Sequence, residues 1–270
     1  MHLFCFGLGY SAKVISNNLD SSWKVSGSHT NKEVLGENEY IFNNEEKFNS
    51  SILDDITHIL ISIPPDAQGD PVFLSYGEYI KKLPNLKWVG YFSSTAVYGD
   101  YQGEWVNELS ETKASEPSGK NRLLAENQWL ESGSPVNIIR LSSIYGPGRS
   151  TIDAVKEGRA ARIYKENQFF SRIHVDDIAQ LTILLMTKPN LNQIFNFADD
   201  FPCAQHEVVE FACSLLKVNP PEMINYIDAN LSESMQRFYN SSKKVDNRKI
   251  KEVYNYKFTF PSYREGLLKC

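Results

Sequence analysis

The sequence predicts a doubly wound α/β fold, and three observations predict it. Short apolar runs alternate with amphipathic segments through the first two thirds of the chain. The first run ends in a glycine-rich turn followed by a helix-forming stretch. The apolar runs are continuous rather than alternating, as expected of strands covered on both faces by helices. With 270 residues, 41% of them hydrophobic, the chain suits one large domain, or a large domain with a smaller appendage.

Each element follows in order. "HLFCFGLG" is a strand closing in glycines, and "YSAKVISNNL" is a helix. "WKVSGS" is a second strand, and "HILISI" is a third, stopped by Pro64 and Pro65. "GEYIKKL" is expected to be helical, and "LKWVGYFSS" reads as a strand. "EPSGKNRLLAE" opens a helix that runs to about Glu131, with Pro117 and Ser118 at its start. "VNIIRLSS" is the next strand. After Gly148 the rhythm changes: "IHVDDIAQLTILLMT" is a strong helix, "IFNFA" a short strand, and "QHEVVEFACSLLKV" a further helix. A polar stretch from Asn219 to Asn247 follows. The expected organisation is a dinucleotide-binding domain over 1–148, completed by about 174–200. A small, mainly helical substrate region is expected over 149–173 and 201–270.

Charge and cysteines narrow the function. The net charge is −5 with no Lys/Arg block, so the electrostatic footprint of a nucleic-acid binder is missing. The four cysteines, Cys5, Cys203, Cys213 and Cys270, lack metal or redox spacing and read as reduced thiols. No metal site is expected. The opening lacks a basic leader before an apolar core, and the apolar runs are shorter than the ~20 residues of a membrane span, so a cytoplasmic protein off the membrane is expected.

"FGLGYSA" sets Gly7, Gly9 and Ala12 as G-x-G-x-x-A between a strand and a helix. Gly7 permits the tight turn, Gly9 lets backbone approach a pyrophosphate, and Ala12 lets helix and strand pack closely. The amides around Tyr10 and Ser11, with the helix dipole, favour an anion. The reading is a Rossmann-type doubly wound parallel sheet. At the end of the second strand no carboxylate precedes Glu33. Ser28, His29 and Lys32 are instead expected to face a phosphate, which favours NADP(H), with NAD(H) the alternative. Read as ordinary loop residues, they discriminate little.

Four further stretches, "FSSTAVYGD", "RLSSIYGPGR", "RIHVDDIA" and "NRKIKEVYNYKFTFPSYREGL", line up in order and spacing over nearly the whole chain. Together they resemble the extended short-chain dehydrogenase/reductase family, in its NAD-dependent epimerase/dehydratase branch. The resemblance implies a nicotinamide coenzyme, a nucleotide-sugar substrate, and a homodimer built on a four-helix bundle. It places Ser62, Pro64 and Pro147 near the coenzyme, and Ser94 where a serine or threonine bonds the reacting oxygen. Tyr145, Arg149 and Arg172 fall near the substrate cleft, where arginines suit a phosphate or carboxylate.

The family's donor helix carries P-Tyr-G-x-x-Lys-L-x-x-E, with tyrosine and lysine on one face. This chain has Ser118 and Arg122 at those two positions. A serine hydroxyl is shorter and far less acidic than a phenol of pKa ~10. An arginine remains charged and shuttles no proton. Lys120, two residues after Ser118, points to nearly the opposite face. The expectation is retained coenzyme binding with lost or rerouted catalysis: an atypical oxidoreductase or epimerase, or a catalytically inactive regulatory or redox-sensing protein. Thr95 and Ala96 stand where sugar dehydratases carry an Asp-Glu pair, which argues against dehydration. Tyr98, Tyr101 and Tyr145 are the candidate replacement phenols. His174, Asp176 and Asp177 read as a helix start. Lys243 and Lys244 read as a solvated run, and the aromatics from Tyr254 to Phe260 as packing.

Overall fold

Among the described residues seven strands form the central sheet, in the order Glu39–Ile41, Lys24–His29, His2–Phe6, His58–Ile61, Trp88–Ser94, Val136–Leu141, Gln193–Phe197. The computed structural model describes residues 1–31 and 36–270. β1 (His2–Phe6) leads through the glycine turn to α1 (Tyr10–Asn17) and β2 (Lys24–His29). β3 (Glu39–Ile41), β4 (His58–Ile61), α2 (Pro71–Ile80) and β5 (Trp88–Ser94) follow. After β6 (Trp105–Val106) come α3 (Pro117–Glu131), β7 (Val136–Leu141) and β8 (Ser143–Tyr145). Next are α4 (Thr151–Lys156), β9 (Arg162–Tyr164), β10 (Arg172–His174), α5 (Val175–Thr187) and β11 (Gln193–Phe197). α6 (Gln205–Leu216), β12 (Met223–Asn225), α7 (Glu233–Tyr239), β13 (Lys244–Val245), α8 (Arg248–Tyr254) and α9 (Tyr263–Leu267) complete the order.

β1 pairs in parallel with β2 on one side and β4 on the other, so the strand order reverses beside it. In doubly wound sheets ligands bind at that reversal, outside the strands' carboxyl ends. The pairs β2–β3 and β4–β5 are parallel as well. Local chemistry sets the helix starts. Asp70 caps α2 by accepting from Phe73 N–H at 2.7 Å, and Pro71 takes the first position. The helix expected from Gly77 therefore starts earlier, and it ends at Ile80.

The chain divides into two compact units. The first comprises 1–94, 117–140 and 178–195. Its core joins Phe4, Phe6, Ile59 and Val89 of the strands to Tyr76 and Trp129 of the helices. The second comprises 95–116, 141–177 and 196–270. It is about as large as the first, because 95–116 and 141–148, assigned from sequence to the dinucleotide-binding domain, cluster with it. It holds three two-stranded pairs, β8–β10, β6–β13 and β9–β12. β10 claims Arg172–His174, so α5 begins at Val175 rather than Ile173. Tyr145, Ile152, Val208 and Tyr263 form one core of this unit. Gly266 makes room there, since a Cβ on it would lie 2.1 Å from the Tyr145 hydroxyl. Among the described residues no helix is long and apolar enough to cross a membrane.

Candidate functional site

In the first unit the glycine turn joins β1 to α1. Gly7 has φ +87°, which glycine adopts freely. A Cβ there would stand 2.7 Å from Ile63 and 2.9 Å from the Ser62 hydroxyl. Gly9 differs. It is the N-cap of α1 at φ −92°, and a Cβ built on it meets nothing within 4 Å. Gly9 has no side chain with which to cap α1, and the helix's first turn carries no acidic residue. By contrast Asp70, Ser150 and Ser232 cap α2, α4 and α7 with their side chains. The start of α1, at Tyr10 and Ser11, thus pairs a positive dipole end with open space, a setting that fits a pyrophosphate. Ala12 is buried, which lets α1 lie close on the sheet.

Two residues expected at the coenzyme, Ser62 and Ser28, brace the turn. The Ser62 hydroxyl donates to the Gly7 carbonyl and, at 3.2 Å, to that of Phe6. Ser28 is buried; its carbonyl accepts from Leu8 N–H at 2.9 Å and its hydroxyl from Gly7 N–H at 3.2 Å. His29 Nε2 stands 2.9 Å from the Glu39 carboxylate. Ser28 and His29, expected to face a phosphate, thus stand beside the glycine turn and Glu39 respectively. Lys32 and Glu33 lie outside the described residues. Pro64 is exposed just past β4.

Ser94 ends β5, and Ser118 is exposed in the first turn of α3. Arg122 points back to the sheet and donates from a terminal guanidinium nitrogen to the Phe92 carbonyl of β5. Four residues further on, buried Glu126 receives a two-pronged contact from Arg140 of β7. Nε lies 3.1 Å and 3.3 Å from its two oxygens, and Nη2 is 2.7 Å from one of them. The Ser93 hydroxyl donates to the same carboxylate. Arg122, Glu126 and Arg140 thus lock α3 to the sheet. Sequence reasoning singled out neither Glu126 nor Arg140; the glutamate of the donor-helix pattern was the available signal.

The second unit contains a cavity of about 560 Å³, walled in part by Tyr145, Arg149, Phe170, Arg172, Phe238 and Tyr263. The three substrate residues expected from sequence therefore line one space. Arg172 is buried, and its hydrogen bonds go to the carbonyls of Phe170 and Cys203, to the Cys203 sulfur and to Gln205, without a carboxylate. Burial pushes the Asp199 carboxyl well above the usual carboxylate range, partly opposed by the Arg172 guanidinium. Arg149 closes a tight turn with Gly146, with Pro147 and Gly148 at its tip. The cavity is lined by apolar and aromatic side chains together with Arg149, Arg159, Arg172 and Asp153.

The candidate replacement phenols are all engaged. Tyr98 donates to Asn196 at 2.7 Å, Tyr101 to the Glu111 carbonyl at 2.7 Å, and Tyr145 to the Ser262 carbonyl at 3.2 Å. His174 is buried against Phe260 at 4.0 Å, and Asp177 receives Tyr256, Thr259 and Phe260, so the HVDD stretch holds structure together. Among the described residues no group of three His, Cys, Asp or Glu could hold a metal ion.

Lys243 overturns its reading as a solvated residue. It is 9% exposed, with Nζ 2.9 Å from the Gly99 carbonyl and 3.2 Å from the Ser241 hydroxyl. Burial lowers it to about 8, partly opposed by Asp100. The folded state thus binds less proton than the unfolded chain between about 8 and the ordinary 10.5. Stability contributed by this group therefore rises with pH across that window. Lys243→Met is expected to flatten that rise. Melting curves from pH 7 to 10.5 check it, and an unchanged slope contradicts the burial account.

No protein-family model matches the chain. The curated relative Protein YeeZ of Escherichia coli K12 is 24% identical over 94% of both chains. A functionally unknown conserved protein from Silicibacter pomeroyi DSS is 36% identical, with a TM-score of 0.91, covering 98% of this chain and 96% of that one. The chain belongs to the same family as that protein. It shares its fold with solved epimerases and dehydratases. UDP-glucuronic acid 4-epimerase from Bacillus cereus, solved with NAD, shares the fold at 17% identity and a TM-score of 0.77, covering 100% and 97% of the two chains. Human epimerase family protein SDR39U1, solved with NADPH, does so at 13% identity and the same score, covering 99% and 98%.

Proposed function

We propose that this family member binds a nicotinamide dinucleotide at the start of α1 and an anionic, nucleotide-sugar-like molecule in the cavity of its second unit. It acts there as an atypical oxidoreductase or epimerase whose Tyr-x-x-x-Lys pair is replaced by Ser118 and Arg122. The observation that carries the reading is the glycine at the α1 N-cap, with Gly9 facing open space. Backbone amides of that turn would hold the pyrophosphate. Within that cavity Arg149 and Arg172 would orient the anionic substrate. The bound coenzyme supplies hydride transfer. Solved relatives in fold carry NAD or NADPH, and one is a UDP-sugar epimerase, which supports the substrate class.

A second reading is a binding or redox-sensing protein without turnover. It is favoured by the engagement of Tyr98, Tyr101 and Tyr145 in structural hydrogen bonds.

Incubation with UDP-glucose or UDP-glucuronate and each coenzyme separates the two. The enzyme reading expects a change in nicotinamide absorbance, or a new epimer by NMR. The sensor reading expects neither, with coenzyme still bound. On both, the Ser118→Tyr, Arg122→Lys double variant gains activity. Loss of an existing activity in Ser118→Ala contradicts a degenerate pair.

A further inference from the structure

We infer that Glu39 sets the choice between the two nicotinamide dinucleotides, in favour of NAD(H); this rests on the dinucleotide-binding reading above. Ser28, next to last in β2, clamps the strand's end to the glycine turn through its carbonyl and its hydroxyl. His29 is the residue just beyond that clamp. A dinucleotide whose pyrophosphate lies on the start of α1 brings its adenosine ribose to this end of β2.

The carboxylate at that place comes from the neighbouring strand. Glu39 opens β3, which runs parallel to β2 with Gly27 opposite Glu39 and His29 opposite Ile41. Glu39 Oε2 stands 2.9 Å from His29 Nε2 and accepts from Gly36 N–H at 2.8 Å. The group is 19% exposed, so solvent reaches it while the Gly36 N–H holds it in position. A fixed carboxylate there accepts a hydrogen bond from a ribose 2′-hydroxyl and repels a 2′-phosphate. The imidazole that would welcome the phosphate is turned toward Glu39, and the Ser28 hydroxyl is engaged by Gly7. Sequence spacing hid this arrangement, because Glu39 reaches the end of β2 only through the β2–β3 pairing.

The test is calorimetry of the full chain with NAD⁺, NADH, NADP⁺ and NADPH, repeated on Glu39→Gln. The wild type is expected to bind NAD(H) at least about tenfold tighter than NADP(H), and Glu39→Gln to shrink that ratio at least about fivefold. Equal or tighter NADP(H) binding by the wild type overturns the inference, whatever the variant does. So does an unchanged ratio in a Glu39→Gln protein that melts as the wild type does. No binding of any of the four overturns the dinucleotide reading itself, and this inference with it.

Discussion

Arg140→Leu is expected to lower folding stability by about 3–5 kcal/mol, the usual cost of leaving a buried charge without its partner. Glu126 is 1% exposed and Arg140 3%, so neither group can turn to water. Removing the guanidinium leaves the Glu126 carboxylate with the Ser93 hydroxyl and a large desolvation penalty. The contact joins α3 to β7 and, through Ser93, to β5, so the loss falls on the packing of the helix that carries Ser118 and Arg122. Replacing both partners by leucine is expected to recover most of the loss, because a well-packed apolar pair often equals a buried ion pair. Urea denaturation of the two single variants and the double variant measures the coupling. A cost below about 1 kcal/mol for the single variants would show that the pair carries little of the load.

Gly9→Val is expected to leave the fold intact and weaken dinucleotide binding by about a hundredfold or more. Gly9 has an extended backbone that any residue adopts, and its Cβ would enter empty space. Relative to glycine, valine at the helix cap costs a few tenths of a kcal/mol or somewhat more. The isopropyl group would fill the space where a pyrophosphate must approach the amides. Gly7→Ala is expected to do the opposite. Its φ of +87° and the 2.7 Å approach to Ile63 place the cost in the folded state, about 1–3 kcal/mol. Melting curves and binding isotherms on the two variants therefore separate a ligand role from a folding role. A Gly9→Val protein that binds as tightly as the wild type would remove the turn from the site.

Local signals made much of this legible in the sequence. The strand–glycine–helix passage at Phe6–Ala12 needs only neighbours in the chain, and α3 begins at Pro117 for the same reason. What stayed hidden depends on contacts between distant segments. Lys243 looks like its neighbour Lys244 in sequence, but it is buried because Gly99, far upstream, supplies its acceptor. Arg122 stands at the family's lysine position, and its guanidinium reaches the Phe92 carbonyl, which no helical spacing reveals. The contacts of Ser28 with Gly7 and of His29 with Glu39 likewise join segments apart in sequence. Arg149 and Arg172 could be placed because their motifs carry them, whereas their common cavity depends on Phe170, Phe238 and Tyr263 from separate segments.

The central claim is that the open start of α1 receives a dinucleotide. Titration calorimetry of NADH and NADPH into the wild-type chain, with Gly9→Val as the control, tests it most directly. The account predicts micromolar binding of at least one coenzyme to the wild type, and none to a Gly9→Val protein of unchanged melting temperature. Absence of heat with both coenzymes in the wild type would contradict it, as would equal binding by the variant.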